Sequence, residues 1–253
     1  MTRNLAGRLP CFLGIGTQKG GTTTLQRLLE HHPQVWLPPA KELQFFSLHY
    51  ALGPAWYADQ FAAAAPEQIC GDITPYYMFH PQAPQRIASL LPEAKLIVLL
   101  RDPVERTLSQ VFHAQRLGFE PLPLEQALAA ETQRLAGAEA VLAAVDGRHR
   151  SHQEHSYLAR SRYAQQLECY EQLFRPDQLL LLRSEDLFED VGAVWRRVLA
   201  FLELEAIPVP EGVAPANAGR GEAAAVPEVL RRTLRQQLAP TYRAMEERYG
   251  IRW

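Results

Sequence analysis

Cysteine is scarce in this chain: Cys11, Cys70 and Cys169 are the only three in 253 residues. They are odd in number and too far apart for a zinc motif, and at most one disulfide can join them, which points to a reducing compartment. Long apolar runs are missing as well, so no membrane span is expected. The opening residues MTRNLAGRLP do not show the plan of a secretory signal, and the expected location is cytoplasmic. Charge of one sign is not in excess: 26 Lys and Arg face 28 Asp and Glu, a net charge of −2. That balance argues against a general nucleic-acid binder, though a local basic cleft is compatible with it. Repeats and low-complexity tails are absent too, apart from the short alanine run Ala62–Ala65. None of this sets the oligomeric state.

What is present is an apolar content of 47%, enough for a real core, in a length that suits one large domain or two small ones. The informative stretch is Phe12–Leu29, FLGIGTQKGGTTTLQRLL. Apolar residues run through Gly14 and Gly16 to Gln18-Lys19-Gly20-Gly21, and Leu25, Leu28 and Leu29 then follow at helical spacing. This is a strand, a glycine-rich turn and a helix. Such a turn aims backbone N–H groups and the positive end of a helix dipole at one point, which suits a phosphate. Lys19 adds a charge, and Thr22 and Thr23 add hydroxyl donors. The pattern is not a Walker A loop. Counted from Gly14, the lysine comes one residue early, and Gly21 holds the place of the magnesium-binding hydroxyl. An ordinary glycine-rich turn remains the plain alternative.

Further along, periodicity predicts short strands at Val35–Leu37 and Ile69–Thr74, and a helix packing Trp56, Tyr57 and Phe61. Pro81–Leu91 reads as a helix, and Lys95–Leu100 (KLIVLL) as a strand buried on both faces. A helix from Val104 to about Leu117 follows Arg101-Asp102-Pro103. Residues 121–156 are helical in Leu124–Ala144 and then polar, with no defensible catalytic spacing. Arg162–Phe174 is amphipathic, Leu179–Leu182 is a strand and Val191–Leu202 a helix. Glu203–Val226 is a loop rich in Pro, Gly and Ala, and one final helix is expected from Pro227 to Tyr249.

Strands alternating with helices predict a three-layer α/β domain with a central, mainly parallel sheet flanked by helices. Ligands of such sheets sit beyond the carboxyl ends of the strands, where the glycine turn and Arg101 both fall. Arg101 and Ser109, in RDPVERTLS, can form a second anion site at the start of a helix. A local Arg101–Asp102 ion pair is the alternative.

TQKGGTTTL followed by LIVLLRDPVERTLS resembles the two signatures of the sulfotransferases that use 3′-phosphoadenosine 5′-phosphosulfate (PAPS). The chain is most similar to the carbohydrate branch with the heparan sulfate 3-O- and N-sulfotransferases. The likeness runs on through KELQFF, GPAWY, DITPYY, SRYAQQLECYEQLF and GIRW, nearly the whole chain, and implies a single P-loop-like domain over residues 1–253. It implies that Gln18, Lys19, Gly20, Gly21, Thr22 and Thr23 hold the 5′-phosphosulfate, and that Arg101 and Ser109 hold the 3′-phosphate. A loop near Asn217–Gly221, with Gly219 and Arg220, would close over the nucleotide. Glu42 matches the family's general base, and Gln44, Phe45, Phe46, Thr74, Pro75 and Tyr76 would meet the acceptor. The family needs no metal.

Three departures stand out. Gln44 replaces a histidine of the Glu-x-His-Phe-Phe motif, Ile73 replaces a lysine, and the 217–221 loop carries no lysine. Loss of the cation at position 73 argues against a strongly anionic polysaccharide acceptor. The implied reaction is transfer of a sulfuryl group to a hydroxyl, or else an amine, of a glycan, lipid, carrier-bound or small-molecule acceptor. Lys19 would neutralise the leaving phosphate and Glu42 accept the proton. Beside the fully solvated reading of Glu42 paired with Lys41, His49 and His113 are rival bases. A P-loop kinase or NTPase, and a non-catalytic nucleotide-binding module, are the rival functions.

Overall fold

The structure, a computed structural model, describes residues 8–213 and 221–253. Among the described residues five strands are formed: β1 (Phe12–Gly16), β2 (Val35–Trp36), β3 (Ile69–Ile73), β4 (Lys95–Leu100) and β5 (Leu179–Arg183). They lie in the order β2-β3-β1-β4-β5, and every pair is parallel. The central, fully parallel sheet flanked by helices is the α/β architecture expected from the alternating pattern.

Alternation explains the buried strands. On β1 and β4, Leu13, Ile15, Leu96, Val98 and Leu100 face one core with Phe45, Phe46, Tyr57, Tyr77, Tyr163, Tyr170 and Met245. Phe12, Ile97 and Leu99 face the other with Leu25, Leu28, Leu29, Trp195 and Val198. Both faces are dry, so the strands read as continuous apolar runs.

The helices are α1 (Thr22–Glu30), α2 (Gly53–Asp59), α3 (Ala83–Leu90), α4 (Pro103–Arg116), α5 (Leu124–Leu135), α6 (Ala138–Leu142), α7 (Arg150–Glu154), α8 (Tyr163–Glu171), α9 (Ser184–Glu189), α10 (Val191–Leu202), α11 (Glu228–Gln237) and α12 (Ala239–Tyr249). The single final helix expected from Pro227 is a correction: it is two helices. Pro240 has no N–H and its ring crowds the preceding turn, so the chain breaks at Leu238 and Pro240 opens α12. The expected helix over 124–144 is likewise interrupted, at Gly137, whose φ of 77° ends α5's path and starts α6.

β1 sits mid-sheet, with β3 and β2 to one side and β4 and β5 to the other. The carboxyl edge beside it is where the crossovers diverge, the usual ligand position in open α/β sheets. The segments leaving β1, β3, β4 and β5 there are the glycine turn, Thr74–Tyr77, Arg101-Asp102 and Ser184.

Candidate active site

The glycine turn is pinned from beneath. Thr17 N–H donates to Leu99 O, Gly20 N–H to Thr17 O, and Ser184 Oγ to Gly20 O at 2.6 Å. Gly20 has no room for a side chain: a Cβ there would stand 2.4 Å from Leu99 O. Gly21, with φ 97°, is the N-cap of α1. Lys19 itself is left-handed, with φ 72°. That conformation is unusual for a residue with a Cβ and persists where the surroundings enforce it.

Lys19 lies among cations. Burial, then the like charges of Arg116, Arg101, Arg106 and Lys41, lowers its pKa from 10.5 to about 8. No carboxylate pairs with Lys19 or Arg101 among the described residues; Arg101 reaches only Lys19 O, at 3.5 Å. Half-buried cations converging on a glycine turn are chemically suited to an anion. The Arg101–Asp102 alternative is not what forms. Asp102 Oδ1 instead accepts from the Val104 and Glu105 N–H groups to cap α4, and takes the Tyr242 hydroxyl as well. Tyr163 Oη donates to Arg101 O at 2.9 Å and fixes the strand end. Ser109 lies on α4, largely buried. Gly219 and Arg220 fall outside the described residues. The chain after them packs along α4: Glu222 pairs with Arg116 at 3.0 Å, and Val226 joins Val104 and Leu108 in one apolar cluster.

Glu42 is on the turn between β2 and the aromatic pair Phe45-Phe46. Glu42 and Gln44 both have positive φ, 59° and 55°. Gln44 Nε2 donates to Glu42 Oε2 at 3.2 Å, and Ser47 Oγ donates to Gln44 Oε1 at 2.7 Å. Lys41 Nζ donates to Thr23 Oγ1 at 2.5 Å and stands 3.9 Å from Glu42 Oε1. One lysine therefore joins the glycine-turn helix to the carboxylate turn. Burial raises the Glu42 pKa, against the pull of Lys41 and Arg160. Phe45 and Phe46 are fully buried; Phe45 stacks on Tyr57 with ring centres 4.2 Å apart, so these rings shape the turn from below. Thr74 and Tyr76 are buried too, Tyr76 beside His152, with its hydroxyl 2.8 Å from Nδ1.

The rival bases are otherwise engaged or perturbed. His113 lies beside Lys19 and Arg116, and burial with their charge drops its pKa to about 4. The His49 ring is engaged by Leu43 O at 2.9 Å.

The sequence reading missed Arg160. It is buried, donates to Gln18 Oε1 at 2.9 Å, and lies over the rings of Tyr76 and Phe79 at 4.8 and 5.2 Å. It thus ties the glycine turn to the Thr74–Tyr77 segment, and its charge reaches Glu42. No local pattern marks this role, because Gln18 and Tyr76 lie 142 and 84 residues away. Phe188 was missed as well: its ring borders Gly21 while 42% exposed, an aromatic surface next to the phosphate turn.

The sulfotransferase domain profile matches residues 10–214. The chain belongs to the sulfotransferase family. Heparan sulfate glucosamine 3-O-sulfotransferase 3B1 of Mus musculus is 32% identical over 201 residues, 79% of this chain and 47% of that protein. Membrane-associated sulfotransferase kil1 of Dictyostelium discoideum is 45% identical over 105 residues, 40% of this chain and 22% of that protein. The chain thus spans about half the length, or less, of these curated relatives. Among solved structures, a sulfotransferase from Alicyclobacillus acidocaldarius superposes with a TM-score of 0.81 at 26% identity, covering 97% of this chain and 98% of that one. Mouse sulfotransferase SULT7A1, solved with 3′-phosphoadenosine 5′-phosphate (PAP), shares the fold at TM-score 0.55 and 12% identity, covering 94% of this chain and 84% of that one.

Proposed function

We propose that the chain transfers a sulfuryl group from PAPS to an acceptor hydroxyl, with Lys19 and Glu42 as its catalytic residues. The observation that carries this reading is the Thr23–Lys41–Glu42 bridge, which sets a half-buried carboxylate against a cation-lined phosphate turn. The glycine cradle, with Lys19 and Arg101, neither of which pairs with a carboxylate among the described residues, fits a nucleotide with two phosphate positions.

PAPS, when bound, supplies the sulfuryl group and a phosphate leaving group. The N–H groups of Gly21, Thr22 and Thr23 and the α1 dipole hold its 5′ end, while the Gly20 N–H closes the turn on Thr17 O. Arg101 and Ser109 take the 3′-phosphate. Lys19 neutralises charge on the phosphate oxygen as the sulfur–oxygen bond to it breaks. Glu42 removes the proton from the acceptor hydroxyl as that oxygen bonds to sulfur. Lys41, with Arg160, favours the ionised form of Glu42 against the effect of its burial. Arg160 holds Gln18 at the mouth of the turn. The residues ask for no metal: Gly21 offers no hydroxyl where a Walker loop has one.

The acceptor side is Gln44, Thr74, Pro75 and Tyr76, with Phe45 and Phe46 behind the turn. The heparan sulfate relatives act on a glycan by name. Here Gln44 and Ile73 stand in place of a ring and a cation, which favours a neutral hydroxyl acceptor, whether glycan, lipid, carrier-bound or small, over an anionic chain or an amine. Three free thiols suit a reducing compartment, and we place the protein in the cytoplasm. Nucleic acid is not among its partners on this reading.

The experiment is thermal denaturation with PAP or ATP without magnesium, followed by labelled PAPS with a panel of hydroxyl acceptors. A ligand that binds only the folded state raises the melting temperature. PAP should raise it far more than ATP, which cannot fill the 3′-phosphate site at Arg101 and Ser109. Equal shifts would sink the PAPS reading in favour of an NTP site.

A further inference from the structure

The turn that carries Glu42 is held by a carboxylate the reaction scheme does not use. Asp72, in β3, is 1% exposed. Its Oδ2 accepts the hydroxyls of Tyr57, on α2, at 3.0 Å and Tyr77 at 2.7 Å, and its Oδ1 accepts the Thr74 hydroxyl at 2.8 Å. The Leu43 backbone amide also favours its charged form. Burial raises the Asp72 pKa, and the Tyr77, Thr74, Tyr57 and Leu43 donors oppose that shift; burial of such a group is costly unless its donors are retained.

Those donors lead to the catalytic turn. Thr74 Oγ1, oriented by Asp72, accepts from the Gln44 N–H at 3.4 Å. Leu43 is thus anchored on the carboxylate directly and Gln44 through Thr74, and Leu43 sits between two residues in left-handed backbone, Glu42 and Gln44. Such a conformation is strained for a residue with a Cβ and needs enforcement from its surroundings. Glu42 and Asp72 line one small crevice with Gln26, Lys41 and Ile73.

We propose that Asp72 is the positioning residue of the catalytic turn: its buried carboxylate, through Leu43, Thr74 and Gln44, fixes where the Glu42 carboxylate stands. This rests on the reading of Glu42 as the base. The charged and titratable groups that face Glu42 are Lys41 on its own turn, Arg160 from the segment before α8, and Asp72 from β3. Asp72 alone is negative. It therefore opposes Glu42's ionisation, while the two cations favour it.

The test is Asp72→Asn, read in two ways beside Glu42→Gln. Carbon-13 NMR of carboxyl-labelled glutamate follows the Glu42 signal, assigned by its loss in Glu42→Gln. Removing the negative charge should move its titration to lower pH. A loosened turn exposes Glu42 and moves it the same way. Single-turnover transfer to the fastest hydroxyl acceptor of the panel should fall roughly 10²-fold, the usual cost of a small misplacement. Stabilisation by PAP should stay as in the wild type, which separates a positioning loss from a collapsed fold. In the Glu42→Gln background the same change should cost little more, since both act through one carboxylate. If Asp72→Asn does not fold, Tyr77→Phe removes one of its donors and keeps the ring, and should lower transfer with PAP binding intact. An unmoved Glu42 titration with unchanged transfer overturns the proposal and leaves the base reading standing. Full additivity in the double variant overturns it too. Normal transfer by Glu42→Gln overturns the base reading, and this proposal's catalytic claim goes with it.

Discussion

The two halves of the site are built from different materials. The half we assign to phosphate is mostly backbone: a glycine turn and a helix N-terminus, with Lys19 and Arg101, neither of which pairs with a carboxylate among the described residues. The acceptor half is side chain: Glu42 and Gln44 bonded to each other, backed by Phe45, Phe46 and Tyr57 and anchored through Thr74 to Asp72. A half made of backbone amides can lose one side chain and still bind its anion. A half made of a directed network concentrates its function in one or two groups. The variants that test this contrast therefore separate binding from chemistry.

The largest effect belongs to the acceptor half. Glu42→Gln keeps shape and removes the proposed base, and should cut transfer to a hydroxyl by roughly 10²–10⁴-fold, with PAP stabilisation nearly intact. Near-normal transfer, with His49→Ala or His113→Ala folded and inactive, would move the base to a histidine. His113, held near 4 by burial and by Lys19 and Arg116, is a poor candidate.

Lys19→Ala comes next. Removal of a group that meets transition-state charge costs on the order of 10²–10³-fold in turnover. The turn's amides remain, so the affinity for PAP should drop much less. Equal losses in turnover and affinity would mean that Lys19 only binds.

Gly20→Ala probes the backbone itself. Its Cβ would meet Leu99 O at 2.4 Å, so the turn must shift away from β4. Displaced amides should weaken PAP binding by roughly tenfold or more, since on the order of 1.4 kcal/mol is tenfold, while Glu42 and its network stay in place. A variant whose melting temperature rises with PAP as much as the wild type's would show that the amides are not the phosphate contacts.

The same contrast governs what was legible in the sequence. The backbone half announces itself locally, because Gly20-Gly21 and an apolar strand sit within a few residues, and β1, β4 and the helices beside them fall where periodicity puts them. Glu42 entered only through the likeness of KELQFF to a family motif. Its surroundings come from β3, α2 and the segment before α8, and no window of sequence brings Asp72, Tyr57 and Arg160 together. The left-handed backbone at Lys19, Glu42 and Gln44 is imposed by tertiary contacts on residues with no intrinsic preference for it. Pro240 was a visible signal for the break between α11 and α12, and the long apolar stripe across it hid that signal.

The smallest expected effect is a pH dependence that belongs to the phosphate half alone. Lys19 ordinarily titrates near 10.5; burial, then the charges of Arg116, Arg101, Arg106 and Lys41, brings it to about 8. Because the folded pKa is lowered, the unfolded chain holds this proton more tightly. The charged form costs stability below about 8, and that cost is relieved as pH rises toward 10.5. A bound phosphate reverses the balance, since its negative charge favours protonated Lys19. Between about 8 and 10.5, binding of PAP should therefore take up a proton at Lys19, and affinity should fall as pH rises, by at most roughly tenfold per unit for one coupled proton. The phosphate's own second ionisation, near 6, lies outside this window. Titration calorimetry at pH 7 and pH 9, in two buffers of different ionisation enthalpy, measures the uptake directly. The wild type should show it at pH 9 and hardly at pH 7, Lys19→Ala at neither, and Glu42→Gln should match the wild type. The same uptake in Lys19→Ala would place the titrating cation elsewhere in the cluster.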